Sequence, residues 1–255
     1  MMRDIIENTI RETVAEYNRK YNMWGEPIIG FAEADSEYIR NIRGVTSEDH
    51  VAIKEAMPWA NTVISYYVPF KREINETNMK AGLSSETWAR SYEVTNAMFP
   101  AINERIIATL KSHGKRGEVP REAGVFDREK LISYYSQRHM AYAAGLGTFG
   151  MNNMLITPAG CCGRFSSVIS DVTLKWDVPL KEELCLYKRE GSCGVCMKVC
   201  EAKALGENDF DRKACYKVCS RNAEIYTFEE SSYGGGAGSE VCGKCISLSP
   251  CAFMK

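Results

Sequence analysis

The spacing of apolar residues predicts helices and strands that alternate along the first two thirds of the chain. Ile6, Ile10, Val14 and Tyr17 recur at steps of three or four residues with charged residues between them, which predicts an amphipathic helix over residues 2–21. Runs rich in β-branched and aromatic residues at 28–32 and 62–68 are bounded by Gly or Pro and predict strands.

The same analysis predicts a long helix over residues 84–113, broken near Pro100, and a second helix over 128–144 that ends at Gly145 and Gly147. Residues 155–156 and 165–170 predict further strands, so the first part of the chain is expected to be a mixed α/β body. We expect a boundary at residues 176–181, around Pro179, with a first domain over 1–180 and a second over 181–255.

Composition limits the classes of function. The chain is 45% hydrophobic and 25% charged, which is typical of a soluble globular protein, and its net charge of −1 argues against a general nucleic-acid binder. Acidic residues occupy the N-terminus where a signal peptide would be apolar, and no stretch approaches the length of a membrane span. We expect a cytoplasmic protein with no membrane partner, from an anaerobic or microaerobic organism.

Cysteines provide the strongest chemical signal. Nine of the 11 lie beyond residue 184, and they include the motifs Cys193-x2-Cys196-x3-Cys200 and Cys242-x2-Cys245-x5-Cys251. Thiols this close in sequence converge on a metal more easily than they pair with distant partners.

The count fits two [4Fe-4S] clusters, which need eight thiolates. In two-cluster ferredoxin-like modules the last cysteine of each group crosses to the other cluster. That pattern predicts these metal ligands: Cys185, Cys193, Cys196 and Cys251 for one cluster, and Cys200, Cys215, Cys242 and Cys245 for the other. Cys219 could replace Cys215, and the sequence leaves this choice open.

Structural zinc is the alternative interpretation, because two Cys-x2-Cys motifs would suffice for it. Cys196 and Cys242 are much farther apart than the roughly 15–20 residues of a zinc ribbon. A third cysteine close behind each motif would also have no role. The spacing therefore favours iron–sulfur clusters, and a two-cluster module conducts electrons to a site elsewhere.

The last part of the predicted body carries a family resemblance. The run RHMAYAAGLGTFGMNNMLITP (138–158), followed by GRF (163–165) and SDVTL (170–174), resembles the signature of the epoxyqueuosine reductase and reductive dehalogenase superfamily. The cysteine-rich segment follows at that family's position. The resemblance implies an α+β fold, with a nitroreductase-like α/β sandwich that binds base-off cobalamin, followed by a small ferredoxin-like domain with two [4Fe-4S] clusters.

The resemblance also implies which residues surround the corrinoid. Glycines would allow close approach of the backbone to the macrocycle, and polar side chains would bond its periphery. The implied cofactor-binding residues are Arg138, Gly145, Leu146, Gly147, Phe149, Gly150, Asn152, Asn153 and Arg164. Flavin is the alternative cofactor, because related folds hold it.

The chain departs from the family at the proton donor. The family's catalytic aspartate would fall near Leu131, so we expect Tyr134, Tyr135 or His139 to act as the catalytic acid. The absence of the family's C-terminal extension, together with the near-zero charge, makes tRNA an unexpected partner. Cys161 and Cys162 are adjacent in a predicted loop, and the sequence leaves open whether either one faces a cofactor.

These observations predict a reductase that passes electrons from two clusters to a corrinoid and reduces a small or modified substrate. The expected electron donor is a ferredoxin or flavodoxin. The alternatives are an electron carrier or corrinoid reductive activator without its own substrate, and a zinc-stabilised interaction module.

Overall fold

The computed structural model describes residues 1–80, 82–229 and 238–254. Its helices are Met2–Tyr21 (α1), Glu37–Arg40 (α2), Ile42–Val45 (α3), Ile53–Ala56 (α4), Arg72–Thr77 (α5), Glu86–Ser112 (α6), Gln137–Ala143 (α7), Leu186–Glu190 (α8), Val195–Lys198 (α9), Arg212–Ala223 (α10) and Lys244–Ser247 (α11). Its strands are Ile28–Glu33 (β1), Thr62–Pro69 (β2), Gly117–Glu118 (β3), Phe126–Asp127 (β4), Ile132–Ser133 (β5), Thr148–Phe149 (β6), Leu155–Ile156 (β7) and Gly163–Ser170 (β8). Arg121–Gly124 and Pro250–Ala252 form short 3-10 helices.

The main sheet has the strand order β1–β2–β8–β3 and every neighbouring pair is antiparallel. Every residue of β2 is buried, so this central strand is covered on both faces. Alternate side chains of a strand point to opposite faces. Ile64 and Tyr66 accordingly join one apolar cluster, while Val63 and Tyr67 join another.

Helices cover the two faces. Helices α1 and α6 supply Ile6, Ile10, Ile102 and Ile106 to the first cluster, and α7 supplies Met140 to the second. All five side chains are fully buried. The antiparallel sheet with a helical layer on each face confirms the predicted α+β class.

The predicted helix over residues 128–144 is wrong in its first half. Asp127 Oδ1 accepts hydrogen bonds from the backbone N–H groups of Glu129 (2.9 Å) and Lys130 (2.8 Å), which closes a turn after β4. Leu131 follows with a φ of 55°, a left-handed conformation that a helix cannot contain. Helix α7 therefore begins only at Gln137.

The predicted break near Pro100 is also wrong, because α6 continues through it. Proline removes one intrahelical hydrogen bond. Phe99, on one side of it, is 8% exposed, and Ile102, on the other, is fully buried. Packing of this turn against the core therefore holds the helix together at that position.

Residues 171–185 contain neither helix nor strand and connect the sheet to the cysteine-rich region. The domain boundary predicted here stays a prediction. Among the described helices, none combines the length and the apolar composition that a bilayer crossing requires.

Candidate functional site: two thiol groups and a basic cavity

The first thiol group surrounds a small cavity of about 80 Å³. Its four cysteines come from distant parts of the cysteine-rich region and all line the cavity: Cys185, Cys193, Cys196 and Cys251. Short elements position them, since Cys185 precedes α8, Cys196 lies in α9 and Cys251 lies in the last 3-10 helix. We call these four residues the near thiol group.

The other three thiols of the near thiol group affect the acidity of Cys196. The pKa of Cys196 is raised to about 11, first by burial and then by the charges of Cys251, Cys185 and Cys193. Four thiolates crowded around an apolar cavity need positive charge between them. Iron supplies such charge when thiolates bind it.

The second thiol group lies beside the first. Burial, and then the charges of Cys242, Cys200 and Cys215, raise the pKa of Cys245. Cys219 belongs to the same neighbourhood, because Cys215, Cys242 and Cys245 all raise its pKa. Cys200, Cys215, Cys219, Cys242 and Cys245 are called the far thiol group.

Cys215 and Cys219 occupy successive turns of α10 and differ in acidity. A hydrogen bond from Cys219 lowers the pKa of Cys215 to about 7, and the charge of Arg138 acts in the same direction. The same bond raises the pKa of Cys219. Cys215 is therefore the more readily formed thiolate of the two, and thiolates are the species that bind metal.

A buried lysine fixes the far group against the body. The Nζ atom of Lys244, which is 1% exposed, donates to the backbone carbonyls of Asn78 (3.0 Å) and Lys80 (2.6 Å). The amide of Asn78 and the hydroxyl of Ser84 both donate to the backbone carbonyl of Cys242 at 3.0 Å. The Cys242–Cys245 segment is thus tied to residues of the α5–α6 connection.

Within residues 1–80, 82–229 and 238–254, no group of three or more His, Cys, Asp or Glu side chains is arranged so that it could hold a metal ion. Ligands of a structural zinc converge on one ion at about 2.3 Å. The thiolates of a cubane bind four separate irons and stand farther apart. Among the described residues, the four thiols share the small cavity but are not arranged around one point that could hold a single ion.

A much larger cavity of about 620 Å³ opens between the body and α10. Cationic side chains line it, namely Arg138, Lys188 and Arg212, together with aromatic rings that include Phe149 and Tyr216. Cys215 and Cys219 also line it, so the far thiol group reaches its wall. No Asp or Glu is among its described lining residues.

Comparisons with known proteins identify the fold. No protein-family model matches the chain, and no curated protein matches it. Among solved structures, an epoxyqueuosine reductase from Bacillus subtilis superposes with a TM-score of 0.56 at 19% identity, covering 96% of this chain and 65% of that one. The chain has the epoxyqueuosine reductase fold. An epoxyqueuosine reductase bound to an epoxyqueuosine-modified tRNA stem loop gives a TM-score of 0.56 at 21% identity, again covering 96% and 65%.

A catabolic reductive dehalogenase shares the fold as well, with a TM-score of 0.53 at 16% identity over 88% of this chain and 29% of that chain. The chain thus spans about two thirds of the length of the epoxyqueuosine reductases and under a third of the dehalogenase. The fold implied by the resemblance at residues 138–174 is thus confirmed, because epoxyqueuosine reductases and a reductive dehalogenase share it.

In this epoxyqueuosine reductase fold, four of the residues predicted to bind the cofactor line the large cavity: Arg138, Phe149, Gly150 and Asn153. A hydrogen bond from the Arg138 guanidinium to the backbone carbonyl of Asn153 links α7 to the turn that carries Asn153.

The other five predicted residues lie elsewhere. A Cβ at Gly145 would contact the backbone of Val178, and one at Gly147 would lie 2.1 Å from the carbonyl oxygen of Ile156, so both glycines permit close packing of backbone. Leu146 is a core residue, Asn152 lines the small cavity, and Arg164 stacks on Tyr92 while it donates to Asn96 at 2.8 Å.

Of the predicted catalytic residues, His139 lines the cavity. Its pKa is lowered to about 4 by burial and by the charge of Arg138, so it is neutral at pH 7. The hydroxyl of Tyr134 donates to Asp127 at 3.0 Å, and that of buried Tyr135 lies 2.9 Å from Ser167. Neither tyrosine is among the residues that line the cavity.

Sequence reasoning missed Tyr216, Arg212, Lys188 and Ser47, which line the cavity. The hydroxyl of Tyr216 donates to Glu240 at 2.8 Å and accepts from Arg128 at 2.5 Å. The position of Tyr216 one residue after Cys215 was the only sequence signal for it.

The lining residues fit a redox group with anionic or carbonyl-rich edges. Burial, and then the positive charges of Arg164 and Arg212, lower the pKa of Arg138, which shows an excess of positive charge at the cavity. Ser47 Oγ is buried and has no hydrogen-bond partner among the described residues. Both features suit a ligand that brings negative charge and acceptor atoms.

Proposed function

We propose that this chain is an iron–sulfur reductase in which two [4Fe-4S] clusters deliver electrons to a corrinoid in the large cavity. The observation that carries the proposal is the position of Cys215 and Cys219, which belong to the far thiol group and also line that cavity. A cluster held there would lie next to any redox group inside the cavity.

The order of electron transfer follows from the positions of the thiol groups. Cys196 of the near group is close enough to raise the pKa of Cys245 in the far group. Electrons would enter at the near cluster, move to the far cluster and reach the cavity. A ferredoxin or flavodoxin is the proposed donor, because both deliver low-potential electrons.

The corrinoid would be held by Arg138, Arg212 and Lys188 at its amide and phosphate edges, with Phe149 against an apolar part. A bound corrinoid supplies a cobalt centre that can be reduced at low potential. The protein's own contribution is to orient the ring, exclude water from one side and bring a proton donor to the substrate.

Tyr216 is the proposed proton donor. Tyr216 lines the cavity, and its hydroxyl is hydrogen-bonded to Arg128 and Glu240, which connect it to the exterior. His139 is already deprotonated at neutral pH, so it has no spare proton to transfer from an imidazolium. The proton that Tyr216 gives up would be replaced through Glu240.

The proposed substrate is a small molecule or a modified nucleoside related to epoxyqueuosine. The comparison structure with a tRNA stem loop motivates a nucleoside substrate. The net charge of −1 does not favour a large polyanion as partner.

Flavin is the second candidate for the cavity. Three cationic side chains around about 620 Å³ would also suit a flavin phosphate and ring. The electron path and the proton donor would be the same.

An anaerobic titration with cob(II)alamin tests the proposal, with flavin mononucleotide titrated in parallel. We expect the electron paramagnetic resonance spectrum of the cobalamin to change to the base-off form on binding. Arg138→Ala should weaken binding at least tenfold, whereas Arg121→Ala, on an exposed turn, should not. An unchanged cobalamin spectrum at saturating protein would contradict corrinoid binding, and saturable flavin binding would support the second candidate.

A further inference from the structure

A fifth thiol lies behind the near thiol group. The Sγ atoms of Cys161 and Cys251 are 3.7 Å apart, and the geometry makes Cys161 the donor of an S–H···S hydrogen bond. The backbone holds the two residues together, because the N–H of Cys161 donates to the carbonyl of Cys251 at 2.9 Å. The N–H of Cys162 makes the next such bond, to Ala252, at 3.3 Å.

Cys161 and Cys162 face different surroundings. Cys161 packs with Ile156 and with Cys185 and Cys251, two members of the near thiol group, in one apolar cluster. Cys162 belongs to the main core, where its Sγ donates to Asn75 Oδ1 at 3.3 Å. Only the first of these adjacent thiols is therefore directed to the near group.

Two polar groups stand beside Cys161 and Cys251. The side-chain amide of Asn152, which lines the small cavity, is 3.8 Å from Cys161 Sγ and 4.0 Å from Cys251 Sγ. The hydroxyl of Tyr67 is fully buried and has no hydrogen-bond partner among the described residues. That hydroxyl lies beside the residue after Cys162, because a Cβ at Gly163 would be 2.6 Å from it.

We propose that Cys161 is a reserve ligand of the near cluster, able to bind the iron that Cys251 otherwise holds. The inference rests on the proposed function, because it requires a cluster at the near thiol group. The Asn152 amide, which is within 4.0 Å of both sulfurs, can donate to whichever sulfur carries the negative charge.

Replacement of one cysteine ligand by the other needs no oxidant, because the iron keeps its oxidation state and its number of thiolate ligands. The bond between iron and Cys251 Sγ breaks, and a bond between the same iron and Cys161 Sγ forms. The proton of Cys161 moves to Cys251 along the existing S–H···S contact, so the net charge of the site is unchanged. Cys251 lines the small cavity and Cys161 lies behind it, 3.7 Å away, so the exchange requires the Cys161 side chain to rotate toward the cavity.

Iron and sulfide content after anaerobic reconstitution tests the proposal, together with spectra of the reduced protein. Cys196→Ala has no reserve thiol and should lose about half of the iron. Cys251→Ala should keep nearly all of it, and so should Cys251→Ala combined with Cys162→Ala. Cys251→Ala combined with Cys161→Ala should lose as much as Cys196→Ala. Circular dichroism identifies any variant that fails to fold.

Mössbauer spectra of Cys251→Ala give an answer that does not depend on the double variants. Four thiolate-bound irons at the near site are expected, and one iron with an oxygen ligand would overturn the proposal. Loss of half the iron in Cys251→Ala would overturn it as well, while the wild-type content still supports the clusters. If the wild-type protein binds no iron and sulfide, the proposed function fails and the reserve ligand fails with it.

Discussion

The hydroxyl of Tyr216 donates a hydrogen bond to the carboxylate of Glu240 at 2.8 Å, and Tyr216 lines the large cavity. Arg128 donates to the same hydroxyl from the other side at 2.5 Å. This arrangement connects the hydroxyl of a cavity-lining tyrosine to a carboxylate that is only half-buried, and a proton can be replaced along such a path.

Tyr216→Phe should therefore lower kcat for reduction of an epoxyqueuosine nucleoside by about 10²-fold or more, with little change in KM. Tyr134→Phe is the matched comparison, since that hydroxyl is bonded to Asp127 and does not line the cavity. An equal or larger loss in Tyr134→Phe would return the proton-donor role to the residue predicted from sequence.

The far cluster should depend on Cys215 and not on Cys219. The hydrogen bond between the two thiols lowers the pKa of Cys215 and raises that of Cys219, and the charge of Arg138 acts on Cys215 in the same direction as the bond. Cys215→Ser should remove about half of the iron, while Cys219→Ser should keep it. Metal analysis of both variants decides the choice that the sequence left open, and loss of iron in Cys219→Ser alone would reverse it.

Stability should fall in mild acid because of His139. Its pKa is about 4 in the folded protein, lowered by burial and by Arg138, against about 6.5 in an unfolded chain. The unfolded chain therefore binds more protons between pH 6.5 and 4, and folding stability decreases as pH falls through that range.

Between pH 7 and pH 5, the wild-type protein should lose roughly 1–2 kcal/mol more unfolding free energy than the His139→Asn variant loses. Urea denaturation at the two pH values measures it, with His113→Asn at the exposed end of α6 as the control. The same pH dependence in wild type and His139→Asn would show that another group is responsible.

Gly147 should be required for folding rather than for cofactor contact. A Cβ there would lie 2.1 Å from the carbonyl oxygen of Ile156 and 2.8 Å from its carbonyl carbon, both backbone atoms that cannot move aside easily. Gly147→Ala should cost about 2 kcal/mol or more of unfolding free energy. Gly124→Ala meets no atom within 4 Å and is the control. A neutral Gly147→Ala would mean that the backbone before β6 can move away from β7 at little cost.

The sequence predicted those parts of the fold that local patterns determine. The apolar spacing of α1 and the β-branched runs of β1 and β2 identified these elements, because each buries a regular face. The start of α7 was missed, because the turn at Asp127 and the left-handed Leu131 oppose the helical pattern of their neighbours. Pro100 was overestimated as a helix breaker, because core packing on both sides of it compensates for one lost hydrogen bond.

The candidate site could be predicted only in part. The spacing within each Cys-x2-Cys motif predicted that its two thiols lie together, and the structure places them in the same thiol group. A short loop limits how far two such neighbours can separate. Tyr216 and Arg212 could not be placed, because their approach to Arg138 depends on how α10 packs on the body. The same holds for Cys161, whose neighbour Cys251 is 90 residues later in the chain.

The most direct test of the account is the metal content of protein purified without oxygen. The two thiol groups should hold about eight iron and eight inorganic sulfide per chain, and the protein should be brown. A protein that contains zinc and no sulfide would contradict the two clusters and, with them, the proposed path of electrons to the large cavity.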